Sequence, residues 1–230
     1  MNDERRKKFT DEVNEIIKSR FDFINRHYPD IRDAYQNHYD WPELDPLRHE
    51  ICICITFGLC QAAITLTNHL LESLLKYALI IKCGDKVKQS KEDIKNRVIT
   101  ALIDKYKNCI EKYNDQSLNT TINFARKEGL ISKEQKKRLH NYREIFRNAY
   151  SHADKIKTFG KSTIPVTGIK LEDNKLVKDE VSEPEIAFFL IGQGIVQFEK
   201  AQKTATPYFL YIDGLVREIR GKLFSKDINK

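Results

Sequence analysis

Apolar residues recur at helical spacing along most of the chain, with polar residues filling the intervals. Phe9, Val13, Ile16, Ile17, Phe21 and Ile24 keep the rhythm of an amphipathic helix, which predicts a first helix from about Glu4 to Arg26. Pro29 and the Trp41-Pro42…Pro46 cluster then bracket a short helical piece, Ile31 to Tyr39, so residues 1–46 read as an N-terminal helical arm. From Leu47 to Lys82 the pattern is mostly apolar on all sides. This predicts one long central helix of about 50 Å, bent at Gly58 and ended by Cys83-Gly84-Asp85 with the glycine in the left-handed cap position. Such a helix needs cover, from other helices or from a second copy of the chain.

Lys91–Lys112 and Ser117–Glu128 read as two further helices, the second stopped by Gly129. Ser132 followed by Gln135 is a capping box, and the helix it starts is expected to run to about His152. After Gly160 the period changes. Thr163–Leu171 and Lys175–Val181 alternate around Asp173-Asn174, which predicts a small β-hairpin insertion within residues 158–183. Pro184 opens a helix from Glu185 to about Thr204, and a terminal segment follows Pro207 to near Phe224. The expectation is an all-α bundle in a single domain, 1–230, with that one β excursion.

Composition agrees with long helices. Only 9 glycines and 6 prolines punctuate 230 residues, too few for a protein of many short strands and turns. A net charge of +7 favours a polyanionic partner, of which nucleic acid is the commonest. The five cysteines (Cys52, Cys54, Cys60, Cys83 and Cys109) form no CxxC pair, and three lie in the apolar run Ile51–Leu66. They read as reduced core residues of a cytoplasmic protein, with little case for zinc. The apolar run is too short for a membrane span and then meets Asn68, His69, Glu72 and Lys76. Met1–Phe9 is charged and unlike a signal peptide. Neither a membrane partner nor a cofactor is expected.

The informative stretch is Leu139–His152. On a helical wheel with Arg147 at zero, His140, Ser151, Glu144, Asn148 and His152 fall between about 20° and 140°. Leu139, Tyr142, Phe146, Ala149 and Tyr150 occupy the opposite arc, with Ile145 near the edge of the polar face. One face therefore packs, and the other gathers two histidines, an arginine and short polar groups where a solvated helix usually carries Lys and Glu. Lys136, Lys137 and Arg138 precede this set, Arg143 lies within it, and Lys155, Lys157 and Lys161 follow it, so cations on both flanks suit a phosphate backbone.

Arg147-Asn148-Ala149-Tyr150-Ser151-His152 resembles the signature of the HEPN superfamily, an Arg followed by four to six residues and a His, with a polar residue directly after the Arg. The resemblance implies a helical bundle that dimerises and brings two motifs into one composite cleft. It also implies a metal-independent endoribonuclease of toxin–antitoxin, CRISPR or phage-defence settings, with a possible antitoxin or sensor partner. In one toxin subset a tyrosine two residues after the motif histidine is modified; here Asp154 stands there. Arg32…His38 also fits the loose spacing, but without a long amphipathic helix leading into it.

On this reading a neutral His152 takes the proton from a ribose 2′-OH, which attacks the adjacent phosphorus and leaves a 2′,3′-cyclic phosphate. Arg147 stabilises the phosphoryl oxygens and Asn148 orients the imidazole or a phosphate oxygen. Glu144, Ser151, His140 and Tyr150 are supporting candidates, and Lys136, Lys137, Arg143, Lys155 and Lys157 are candidate RNA contacts. No metal site is expected, because no Asp/Glu/His set has ligand spacing. Two alternatives stand: a non-catalytic, HEPN-like dimeric module that binds RNA or a partner protein, and a structural or regulatory helical protein with no nucleic-acid role.

Overall fold

The apolar stretch expected as one central helix forms two. α2 runs Asp45–Thr56 and α3 runs Cys60–Gly84. Gly58, at φ +72°, sits between them in the left-handed region that glycine tolerates best. The Gly58 N–H donates to the Ile55 carbonyl (3.0 Å) and the Leu59 N–H to that of Cys54 (2.7 Å), the paired bonds of a Schellman stop. The bend expected at Gly58 is thus a full break, because those bonds end one helix before the next begins.

A computed structural model of the chain describes residues 3–86, 98–151, 163–170, 175–182 and 192–224, and among them the protein is mostly helical, of the all-α class. α1 (Asp3–Gln36) precedes the broken pair, and α4 (Val98–Tyr113), α5 (Leu118–Lys127) and α6 (Lys133–Tyr142) follow it. A π-helical segment, Arg143–Ser151, continues α6, and α7 (Gly192–Phe224) closes the bundle. Thr163–Lys170 and Lys175–Ser182 pair as antiparallel strands β1 and β2, in register from Thr163 opposite Ser182 to Lys170 opposite Lys175. The expected helical stretches at residues 91–97 and 185–191 lie outside the described residues.

α3 is the axis of the core. Ala63, Ile64, Leu70, Leu71, Leu74, Leu75 and Ala78 are fully buried on it. Its cover comes from within the chain: α7 packs along it most extensively, with α2, α4, α5 and the π-helical segment on its other sides. Burying each of these Leu or Ile side chains contributes about 1.5–3 kcal/mol, which offsets the entropy of ordering the helices. Among the described residues no helix is long and apolar enough to cross a membrane.

Two prolines expected to punctuate the chain lie inside helices, Pro29 in α1 and Pro207 in α7. An internal proline costs about 3 kcal/mol through its missing N–H and its clash with the preceding turn. Burial beyond each one offsets that cost. Ile31 and Ala34 are buried just after Pro29, and Ala201, Ala205, Tyr208, Phe209 and Ile212 surround Pro207.

Cys83 and Cys109 correct the reading of five reduced thiols, since they form a disulfide joining the end of α3 to α4. Cys52, Cys54 and Cys60 carry free thiols. Burial pushes the Cys52 thiol up to about 12, so it packs as a neutral small hydrophobe.

Gly84 also departs from expectation. It remains helical, and among the described residues only Gly58 and Gly129 have the left-handed conformation among glycines. Its role is close approach, because a Cβ built there collides with the Tyr106 ring of α4. Gly84→Ala is therefore expected to lower stability by about 1–3 kcal/mol, the usual cost of overpacking. Urea unfolding with an unchanged midpoint would refute that contact. The stop at Gly129 follows the sequence: φ is +73°, with Gly129 N–H to Arg126 O at 3.1 Å and Leu130 N–H to Ala125 O at 2.9 Å.

Candidate functional site

The site begins with a local signal and ends with a long-range one. Ser132 caps α6 through its hydroxyl, which accepts from the Gln135 N–H at 3.1 Å, while Gln135 Oε1 accepts from the Ser132 N–H at 2.7 Å. α6 then buries Leu139 completely. At Arg143 the helix widens to π geometry instead of continuing as an α-helix to His152. A π turn bonds i to i+5, so the wheel drawn at 100° per residue fails beyond Tyr142.

Contacts from α3 and α7 hold the widened segment. The Asn68 amide on α3 donates to the Phe146 carbonyl at 3.3 Å, and the Tyr208 hydroxyl on α7 donates to Asn68 Oδ1 at 2.8 Å. Phe146 stacks on Tyr208 with ring centroids 4.2 Å apart, and Tyr142 meets the Tyr208 ring edge-on at 5.0 Å. Burial pushes the Tyr208 hydroxyl well above the usual phenol range, so it remains a donor at any working pH. Leu139, Tyr142 and Phe146 thus pack as the amphipathic pattern requires, and Ile145, half exposed, lies off that face.

One turn beyond Asn68 on α3, the Glu72 carboxylate accepts from Arg147 Nη2 at 3.3 Å. Glu72 also accepts Lys76 Nζ at 3.1 Å. Both partners of the Arg147–Glu72 pair are about three-quarters buried, so the pair is screened less than a surface bridge. Arg147 is consequently held by its Nη2 end against α3.

The remaining candidates are distributed as follows. Glu144 pairs with Arg143, which explains Glu144 without a chemical role. Arg143 Nε is buried without a hydrogen-bond partner among the described residues. Arg143 is therefore a poorer RNA contact than its charge suggested, since its guanidinium is folded onto Glu144. Lys137 is exposed and Lys136 half-buried on α6. His140 is half-buried; burial first, then Arg143 and Lys136, hold it below the ordinary imidazole range, with Glu144 opposing, and it is neutral near pH 7. Asn148, Tyr150 and Ser151 lie on the π-helical backbone, their side chains outside the description, and His152, Lys155 and Lys157 lie outside the described residues. Among the described residues no three His, Cys, Asp or Glu side chains converge as metal ligands would.

Sequence reasoning missed Asn68 and Glu72. Their signal was present: they interrupt an otherwise apolar helix four residues apart, which puts them on one face. Asn68 offers a test. Asn68→Ala leaves the Phe146 carbonyl without that donor and the Tyr208 hydroxyl without that acceptor in a buried place, so stability should fall by about 1–3 kcal/mol. Wild-type behaviour in thermal unfolding would show that these bonds contribute nothing net.

The second Arg…His spacing builds something else. Arg32 is exposed on α1, while His38 Nδ1 lies 3.2 Å from Arg48 Nη2 and 3.8 Å from Asp45. Arg48, fully buried, donates to the carbonyls of Ala34 and Tyr35 (the latter at 2.9 Å) and to Asp45 Oδ1 at 3.2 Å. The Tyr39 ring lies between the Arg48 and Arg217 guanidiniums, at 5.7 and 5.2 Å. This network ties the end of α1 to α2 and α7 and serves packing.

Comparison with known proteins returned nothing: no family model, no curated protein and no solved structure matches this chain.

Proposed function

We propose that this chain is a metal-independent, HEPN-like endoribonuclease that cleaves RNA by 2′-OH attack. It would act as a homodimer with a composite cleft, in a toxin or phage-defence setting where an antitoxin or sensor protein controls it. The observation that supports this reading most is the seating of Arg147. Its guanidinium is fastened to Glu72, and it lies in a π-helical segment that runs to Ser151. π turns are rare and recur at functional sites.

In the chemistry proposed, His152 accepts the 2′-OH proton and the oxygen attacks phosphorus, expelling the 5′-oxygen and closing a 2′,3′-cyclic phosphate. Arg147 supplies a planar, permanently charged donor pair to the phosphoryl oxygens. Glu72 limits its freedom, which places that charge before substrate arrives. The leaving oxygen takes its proton from His152 of the second copy. Lys136 and Lys137 hold the phosphate backbone without reading sequence.

The test is incubation of the purified chain with total RNA and with DNA of matched length in excess EDTA. Cleavage of RNA alone, with cyclic-phosphate and 5′-hydroxyl ends, is expected. Cleavage that appears only on adding a divalent cation, or cleavage of DNA, overturns the mechanism. The Glu72–Arg147 pair also favours one second reading, a binding-only module in which Arg147 is structural. That reading expects RNA retention with a salt-dependent affinity and no fragments.

A further inference from the structure

α4 is fastened to the bundle differently from the other helices. Among the described residues its main packing partner is α3, and Tyr113 at its end meets the Phe124 ring of α5 edge-on at 5.6 Å. Of its side chains described from Ile103 to Tyr113, only Cys109 and Tyr113 are buried, while Lys105 and Tyr106 are half-buried. Ile103 and Ile110 stand 59% and 46% exposed. A helix of this length is marginal in water by itself, and this stretch offers little apolar burial to seat it. The Lys105–Asp85 pair, at 3.9 Å with Asp85 more than half exposed, adds little. What remains is the Cys83–Cys109 bond, beside the Tyr106 ring that lies over Gly84.

We propose that the Cys83–Cys109 bond is a redox latch, which holds α4 on α3 while closed and releases it when a small thiol reduces it. Cys83 is the point of attack, since it is half-buried at the end of α3 whereas Cys109 is 1% exposed. A thiolate attacks Cys83 Sγ, the bond to Cys109 breaks, and Cys109 Sγ leaves with the electron pair and takes a proton. A second thiolate attacks the outer sulfur of the mixed disulfide and frees Cys83, which takes the other proton. Two small thiols are oxidised to one small disulfide, and the protein disulfide is reduced to two thiols. The same exchange run backwards, with the small disulfide as oxidant, closes the latch.

The chain's own thiols do not compete for the bridge. Cys60 opens α3 and Cys83 closes it, about 35 Å apart along the helix. Burial also pushes the Cys52, Cys54 and Cys60 thiols above the ordinary value, so they stay protonated and poor nucleophiles near neutral pH. The exchange therefore needs a thiol from outside. It uses no residue of the proposed ribonuclease cleft and stands or falls apart from it.

The test is hydrogen exchange, read by mass spectrometry, on the full chain oxidised with glutathione disulfide and then reduced with dithiothreitol. Thiol counting under denaturing conditions should find three free thiols before reduction and five after. On reduction the amides of Val98–Tyr113 should exchange at least about tenfold faster, less than closing a loop between positions 26 apart can supply. Those of α7 and of Cys60–Leu79 in α3 should keep their rates, and re-oxidation should restore α4. The double variant Cys83→Ser, Cys109→Ser should behave as the reduced chain and respond to neither reagent. Unchanged exchange in α4 on reduction would show that packing alone seats it and overturn the proposal. Equal acceleration through α3 and α7 would overturn it too, by making the bond a staple of the whole bundle, as would five free thiols after oxidation.

Discussion

Replacing His152 with Ala should leave RNA uncut in EDTA while the unfolding midpoint stays at the wild-type value. A positioned general base contributes about 10²–10⁴-fold, so cleavage at about one hundredth of the wild-type rate or less is the expected measurement. The reasoning is chemical. A 2′-hydroxyl is a poor nucleophile until its proton is taken, and among the motif residues only the imidazole titrates near neutral pH. Arg147 cannot substitute, because a guanidinium stays protonated. Cleavage by the His152→Ala chain at the wild-type rate would remove His152 from the mechanism and return Arg147 to a structural role beside Glu72. Lost cleavage accompanied by a lowered midpoint would instead point to damage of the fold.

The second large effect concerns stability and lies at Arg48. Arg48→Ala leaves the carbonyls of Ala34 and Tyr35 without that donor and removes the cation beside Asp45. Removing one partner of a buried charged network costs on the order of 3 kcal/mol. The pH dependence carries a sign. Burial alone would raise the Asp45 carboxyl, but hydrogen bonds from the Tyr39 and Trp41 N–H groups and from Arg48 outweigh it and hold it below the usual aspartate value. Stability from this carboxylate is therefore full above the ordinary aspartate pKa and disappears as pH falls through the lowered one. Arg48→Ala should surrender part of it at neutral pH and lose less on acidification. Equal midpoints for both chains at pH 7 would show that the network is neutral in sum.

What was legible in the sequence was local. The capping box at Ser132 and Gln135 and the stop at Gly129 are fixed by residues a few positions apart, and residue identity reveals them, whereas Gly58 reads as a bend and the structure makes it a stop. The apolar character of α3 likewise required cover, and the bundle supplies it. What could not be read depends on partners distant in sequence. Pro29 and Pro207 look like helix ends until the burial of Ile31 and Phe209 is known. The Cys83–Cys109 bond has no signature in its spacing. The widening at Arg143 goes with an amide 78 positions before Phe146, that of Asn68, which the linear pattern registers only as a polar interruption. Glu72 shows in the same pattern as a second interruption, and only the packing gives it Arg147 as a partner. The candidate site was thus half visible: the motif stands in the sequence, and its supports stand in the packing.

The bond between Cys83 and Cys109 also changes what it means for this chain to be cut. A backbone break anywhere between these two positions opens no gap in the covalent graph, because the sulfurs keep both pieces in one molecule. The fragments travel together until a reductant reaches the bridge, so cleavage there is silent on a non-reducing gel and plain on a reducing one. A nick in that stretch therefore leaves the two pieces linked through the bridge, whereas a cut elsewhere in the backbone leaves two separate chains.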